Sequence, residues 1–364
     1  MYSTTTSLLD SGRCSEPAPK RSRFGEPQKF LPVVFVAFTI AFLFCSYIHN
    51  HIIPLLQLGR PAGKVDESTR TRGIVEFVVF LFLTTMLVIC YVRCILTHPG
   101  EIPENDSQWD TLASDKHFPS DWAPMALQEM KKTGERRHCK WCGKYKPDRC
   151  HHCRVCKSCI LKMDHHCPWI YNCVGFANYK YFFLLLHYSV LATHLITWSM
   201  LESVKRCIDE PDATPFTMMF LTFFTETLCF FLMALTTAFF WFHVMLTSRA
   251  MTTIEYCEKS MPKKDCERTG YETSVYDLGF AGNLRAVLGD NPLLWFVPCS
   301  RPSGDGLNFI SDETRLTKDL ESGKGIRRRT HQKTQRPPRP LPGSDGVHHG
   351  SYFSSMNYGS TMPR

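Results

Sequence analysis

Four stretches of this chain are apolar for long enough to cross a bilayer, and most of what lies between them is polar. From Phe30 to His49 about 20 residues pass without a formal charge, enough for a hydrocarbon core of about 30 Å. The run is too long and lies too far from the first residue to read as a signal peptide. A second apolar stretch runs from Gly73 to Ile95, interrupted only by Glu76 near its start and Arg93 near its end, where both charges are expected to snorkel to the interface. The third begins at Tyr181 and reaches Val204, with Tyr179, Tyr181, Phe182 and Phe183 as an aromatic belt. The fourth occupies Phe216 to Leu246, and at about 31 residues it must tilt, kink or project beyond the bilayer.

The rest of the chain divides around these spans. Residues 1–29 are Ser-rich and polar, with Lys20, Arg21, Arg23 and Lys29 but no apolar periodicity, and they read as a disordered tail. Residues 30–95 hold the first two helices, 96–180 a large polar loop, 181–246 the last two helices and 247–299 a further ordered region. Residues 300–364, with Arg327-Arg328-Arg329 and a Pro-rich run, read as a second disordered tail. The segment 97–180 carries 13 Lys and Arg, whereas the short connection around Glu210-Pro211-Asp212 has few, balanced by acids. Positive-inside logic puts the large loop and both tails in the cytosol, although Arg60, Lys64, Arg70 and Arg72 in the first connection pull the other way. The net charge of +8 then serves apposition to lipid, because no nucleic-acid-binding motif accompanies it.

Within the large loop, eight of the chain's 17 cysteines lie between Cys139 and Cys173. Cysteines two residues apart can reach one tetrahedral zinc, and His138, His151, His152, His165 and His166 add nitrogen ligands. Two zinc ions need eight ligands, so this supply leaves groups over for other work. A disulfide framework is the competing explanation, but a basic loop facing the reducing cytosol disfavours it.

The uninterrupted pattern from Cys139 to Phe182, C-x2-C, K-P-D-R-C-H-H-C, D-H-H-C-P-W and N-C-V-G-F-A-N-Y-K-Y-F, resembles the DHHC-type protein S-acyltransferases, a palmitoyltransferase family. The resemblance implies a mainly α, polytopic membrane fold with four transmembrane helices and a cytosolic two-zinc domain between helices 2 and 3. It assigns Cys139, Cys142, His152 and Cys159 to one structural zinc and Cys153, Cys156, His166 and Cys173 to the other. Cys167 is then the unligated nucleophile, and Cys150 a packing cysteine. A thiol accepts an acyl group from a thioester as its thiolate, which a free cysteine supplies only to a few per cent at neutral pH. His165 is the expected base, with Asp164 orienting its ring. The implied reaction moves a long-chain acyl group from palmitoyl-CoA to Cys167, and from there to cysteines of proteins at the cytosolic membrane face. Such an enzyme resides in Golgi or ER endomembranes or the plasma membrane.

Further expectations follow. Lys146, Arg149 and His151 are candidates for contact with CoA, arginine being the better phosphate fork. Thr252-Thr253-Ile254-Glu255 resembles the family's T-T-x-E element, and Asn283 with Val287 and Gly289 its N-x3-V-F-G element, here with Leu288 in place of Phe. His98-Pro99-Gly100 stands where the family shows D-P-G. His187, His194 and Glu226 lie within spans and read as neutral groups facing the bundle, while Ser189, Ala192 and Thr193 suggest room for a long acyl chain. Two rival classes, a partner-binding zinc module and a transporter, need a dispensable Cys167 and a charged pathway respectively.

Overall fold

The computed structural model describes residues 27–104, 109–110, 129, 131, 133, 135–260, 274–300 and 302–309. The readings of 1–29 and 300–364 as disordered fall almost wholly outside these residues. Four helices are long and apolar enough to cross a membrane: α1 (Leu31–Leu56), α2 (Glu67–Leu96), α3 (Tyr179–Asp209) and α4 (Phe216–Ser248). At 1.5 Å per residue, helices of 26 to 33 residues run about 40–50 Å and so exceed the hydrocarbon core. Val34, Phe35 and Phe38 on α1, and Phe220, Phe230 and Phe231 on α4, point outward and exposed, as lipid-facing positions do.

The helices extend past the apolar runs because polar residues at their ends find partners. Asp66 caps α2 by accepting from the backbone N–H of Ser68, so this helix starts well before Gly73. In α1, Pro54 removes a helical N–H, and the chain opens into a π turn at Ile48–Ile52. Ser203 of α3 donates to the carbonyl of Asn50 (3.3 Å). His51, fully buried, is held between Ser203 Oγ (2.9 Å) and Glu76 Oε2 (2.8 Å). Glu76 therefore does not snorkel: it is paired inside the bundle with His51 and with Arg72, one turn earlier on α2. Arg93 does lie outward, over the ring of Tyr181.

Side chains from all four helices meet at the end away from the cysteine-rich loop, where Tyr47, Phe80, Met200 and Cys229 are buried together. Ala192 packs with Leu83 and Leu87 of α2, so its small side chain admits a neighbouring helix. Ser189 and Thr193 return their hydroxyls to carbonyls of their own helix. His194 does the same through Nδ1, and His187 lies among the rings of Tyr188, Phe240 and Phe296. Glu226 Oε2 is buried without a partner among the described residues.

Between α2 and α3 the chain forms three short antiparallel hairpins. They are β1 (His138–Cys139) with β2 (Lys144–Tyr145), β3 (His151–Cys153) with β4 (Ser158–Ile160), and β5 (His165–Cys167) with β6 (Asn172–Val174). Two short helices follow the last span, α5 (Thr253–Ser260) and α6 (Phe280–Leu288). The exit from α2 is tied to the hairpins, since the Gly100 carbonyl accepts from Leu161 and the Pro99 carbonyl from Ala177. His98 Nδ1 accepts from the N–H of Gly100 (3.2 Å), the service an aspartate side chain gives in such a turn. Gly175 lies so close to Ile160 Cγ2 and the Pro99 carbonyl that a Cβ there would come within 2.7 and 3.0 Å of them.

Candidate active site

The hairpins explain why the two cysteine-histidine sets interleave. The turn after β1 presents Cys139 and Cys142, which meet His152 of β3 and Cys159 of β4. The turn after β3 presents Cys153 and Cys156, which meet His166 of β5 and Cys173 of β6. In each set the histidine and the last cysteine are direct cross-strand partners, His152 opposite Cys159 and His166 opposite Cys173. The second and third hairpins thus each close one site with their strands, and the strand end and turn of the hairpin before supply the other two ligands.

His152 Nδ1 lies 3.3–3.9 Å from the sulfurs of its set and His166 Nδ1 3.5–3.7 Å from those of the other. Tetrahedral zinc with ordinary bond lengths requires S···N edges of about 3.6 Å and S···S edges of about 3.8 Å. The ligand atoms of each set lie within 4.8 Å of one another, a fit to such an ion, and Cys156 and Cys173 are already 3.5 Å apart. All eight cysteines of the stretch are free thiols. Cys150 belongs to neither set and is wholly buried beside Cys139 and Cys159.

Strand β5 also carries Asp164's neighbours in the tetrad. Successive side chains on a strand alternate, so His165 and Cys167 share the face opposite His166. Cys167 is buried in one cluster with Tyr91 and Cys94 of α2, and Val33 and Val36 of α1 pack against that cluster. Its cross-strand partner Asn172 donates to the carbonyls of Cys94 and Thr97 (2.9 Å each), which stitches the hairpin to the end of α2. Tyr91 donates its hydroxyl to the carbonyls of Trp169 and Val33, fixing α1 to the same place.

His165 Nδ1 donates to Asp164 Oδ2 (2.7 Å). Burial opposes charge on the His165 ring, but the Asp164 hydrogen bond and the adjacent Cys167 thiol outweigh it and carry its pKa up to about 9. For Asp164, wholly buried, burial favours the neutral acid, yet the His165 bond and charge and the Thr253 N–H hold its pKa below the usual value. Thr253 gives Asp164 both its backbone N–H (2.9 Å) and its hydroxyl (2.7 Å). The two carboxylate oxygens are thereby fixed from α5, beyond the last span.

Thr252-Thr253-Ile254-Glu255 folds as a capping box. The Thr252 hydroxyl accepts from the N–H of Glu255, and Glu255 Oε2 accepts from the N–H of Thr252. The same glutamate takes both arms of Arg149, at 2.6 and 2.9 Å, while Arg149 also donates to the Ala250 carbonyl and lies over the rings of Tyr276 and Phe309. Arg149 is 3 % exposed and fully committed, so it does not offer the phosphate fork expected from the sequence. Its guanidinium binds this carboxylate instead, because the β2–β3 turn points it inward under α5. Asn283 joins the last span to α6, donating to the carbonyl of Ser248 and to Asp277 and accepting from the N–H of Leu278.

Methionine at Arg149 leaves the Glu255 carboxylate buried and unpaired, and should cost about 3–5 kcal/mol, whereas pairing it with Glu255→Met should recover most of the loss. Thermal melting of the detergent-solubilised variants measures both. For Glu255, burial pushes the pKa up but Arg149 pulls harder, and the folded value lies below the ordinary 4.5. A depressed carboxylate stabilises the fold above its unfolded pKa and loses that contribution as pH falls through the folded one. The gap between wild type and Arg149→Met should therefore be full above pH 4.5 and narrow below it.

A family model described as DHHC palmitoyltransferase matches residues 132–260. The rat palmitoyltransferase ZDHHC2 is 30% identical over 312 residues, covering 81% of this chain and 79% of its own. Human ZDHHC15 is 31% identical over 297 residues, 77% of this chain and 81% of that one, and zebrafish ZDHHC20-B is 30% identical over 320 residues, 82% and 89% respectively. The chain belongs to the DHHC palmitoyltransferase family. Its activity class is protein S-palmitoyl transfer, and the matched segment holds both cysteine-histidine sets, the tetrad, the last two spans and α5.

Of the residues expected at the CoA surface of this DHHC palmitoyltransferase, Lys146 and His151 remain. Burial and the nearby cations Arg137 and Lys146 depress the His151 pKa to about 4, so its ring is neutral beside a cationic edge. Sequence reasoning missed His243 and Phe182 as neighbours of the tetrad. His243, on α4, lies with its ring centroid 6.2 Å from that of His165, and Phe182 presents an edge to His165 at 5.2 Å. Both sit inside apolar spans, where only the polarity of His243 among aromatic residues set it apart.

Proposed function

We propose that Cys167 carries the acyl group between acyl-CoA and a protein thiol. The observation that supports this most is the division of β5, with His166 turned to a metal set and His165 and Cys167 sharing the other face. The proton of the Cys167 thiol passes to His165, whose charged ring Asp164 stabilises. The thiolate attacks the thioester carbonyl, the bond to the CoA sulfur breaks, and the CoA thiolate takes the proton from His165. An acceptor cysteine repeats the exchange in reverse, and Cys167 is regenerated. Thioester replaces thioester, so neither oxidant nor nucleotide energy is required.

The two cysteine-histidine sets hold zinc in this reading, and their filled shells make it structural. When bound, it fixes the hairpins that present Cys167. Lys146 and His151 face the CoA head group. The acyl tail lies among the helices beyond Cys167, where burial of about 15 methylenes is worth no more than lipid already offers, so the bundle contributes placement. The hairpins lie on the cytosolic side of the membrane, and cysteine-bearing membrane-associated proteins are the acceptors.

The test is a two-stage labelling of the purified chain. Incubation with alkynyl palmitoyl-CoA alone should give a protein-bound label released by neutral hydroxylamine, and a later chase with a cysteine peptide should move that label to the peptide without further acyl-CoA. A label that passes to peptide only while acyl-CoA is present would rule out the acyl-enzyme.

A further inference from the structure

His243 has no part in the scheme above, yet it is wholly buried against the groups that do. Its Nδ1 is joined to the Tyr179 hydroxyl by a hydrogen bond of 3.2 Å, whereas its Nε2 is buried with no partner among the described residues. A polar atom left so costs about 1–3 kcal/mol. A purely apolar side chain would carry no such atom, so packing alone does not account for an imidazole here.

The surrounding contacts indicate what the ring does. Phe182 meets four rings, those of His165 at 5.2 Å, His243 at 5.1 Å and Phe239 at 6.1 Å, nearly perpendicular to it, and that of Tyr179 at 6.5 Å, tilted. Phe239, one turn before His243 on α4, closes against His243 at 4.8 Å. Tyr179 belongs to the first turn of α3, one turn before Phe182, and Lys162 lies over its ring. The hydrogen bond between His243 and Tyr179 thus ties the last turns of α4 to the first turn of α3, and it fixes the phenylalanine wedged between them.

His165 needs that wedge. Asp164 holds the ring at Nδ1, and an imidazole anchored there can still tilt about that contact. We propose that His243 is a positioning residue for His165, acting through Tyr179 and Phe182 to hold the imidazole in line with Cys167. This rests on the reading of His165 as the proton carrier of the transfer. Displacement of a reacting group by about 1 Å can cost about a hundredfold in rate, so the loss of one anchor of the wedge should be felt in turnover.

The experiment uses the full chain in detergent, with single-turnover labelling by alkynyl palmitoyl-CoA and Cys167→Ser run in parallel. His243→Phe keeps an aromatic ring and removes the acceptor, and Tyr179→Phe removes the hydroxyl. Each should slow labelling at saturating acyl-CoA about tenfold, with half-saturation within about twofold of wild type and with metal content and melting temperature retained. The double variant should be no slower than His243→Phe by more than about twofold, because both changes delete one contact. Wild-type turnover in either variant, or a defect confined to half-saturation, overturns the proposal, and Tyr179→Phe decides alone if His243→Phe fails to fold. Label that persists in Cys167→Ser overturns the nucleophile assignment itself, which separates that failure from this one.

Discussion

Cys167→Ser should take up no measurable palmitoyl group while keeping both metals, a fall of at least about a thousandfold in labelling rate. The serine fits where the thiol is, and Cys167 belongs to neither metal set, so the hairpins have no reason to change. What changes is chemistry. A hydroxyl beside His165 is far harder to ionise than a thiol, and any ester it formed would be an oxygen ester that neutral hydroxylamine leaves intact. In-gel fluorescence with and without hydroxylamine, together with metal analysis by atomic emission, reads both halves of this result. Persistent hydroxylamine-labile label would place the acyl group on another cysteine, and Cys257 on α5 and Cys299 are exposed.

Removal of metal should have a comparably large effect by a different route. Structural zinc in small cysteine-histidine modules supplies about 10–16 kcal/mol of apparent folding free energy, more than a region of short hairpins gains from its own contacts. Stripping with a strong chelator should therefore open residues 135–175 to proteolysis and abolish transfer. Cys156→Ser should leave about one metal per chain. It should also silence Cys167, because its set holds His166, which lies on the same strand between His165 and Cys167. Transfer that survives with both metals gone would mean that packing alone holds the tetrad.

The spans were legible because lipid imposes a simple rule, and charge-free runs of about 20 residues obey it. The helix ends were not, since Asp66, His51 and Arg72 are admitted by particular partners that hydropathy does not see. Both cysteine-histidine sets came from the family resemblance, and the structure groups the same eight residues. Spacing alone left that assignment open, because more candidate ligands than two metals need lie within one short stretch. Arg149 shows the limit most plainly. An arginine in a basic loop reads as a surface cation, and only the fold reveals that Glu255, 106 positions later, takes both its arms. His243 was hidden for the converse reason, being one polar residue in an otherwise apolar span whose neighbours come from another helix.

The clamp on Asp164 has a consequence for how the enzyme comes into being. The tetrad and all eight metal-set residues precede the third span, but the hydroxyl and N–H that fix Asp164 belong to Thr253, 89 residues further on and beyond the fourth. A nascent chain that has closed its hairpins still lacks the group that fixes Asp164, and it lacks the carboxylate that holds Arg149. Competence for acyl transfer therefore arrives only after the last helix has entered the membrane and its far end has returned to the hairpins. A polypeptide stalled or misinserted before that point would carry the nucleophile without the means to use it, and the cell would be spared a partly built acyltransferase at work on the wrong thiols.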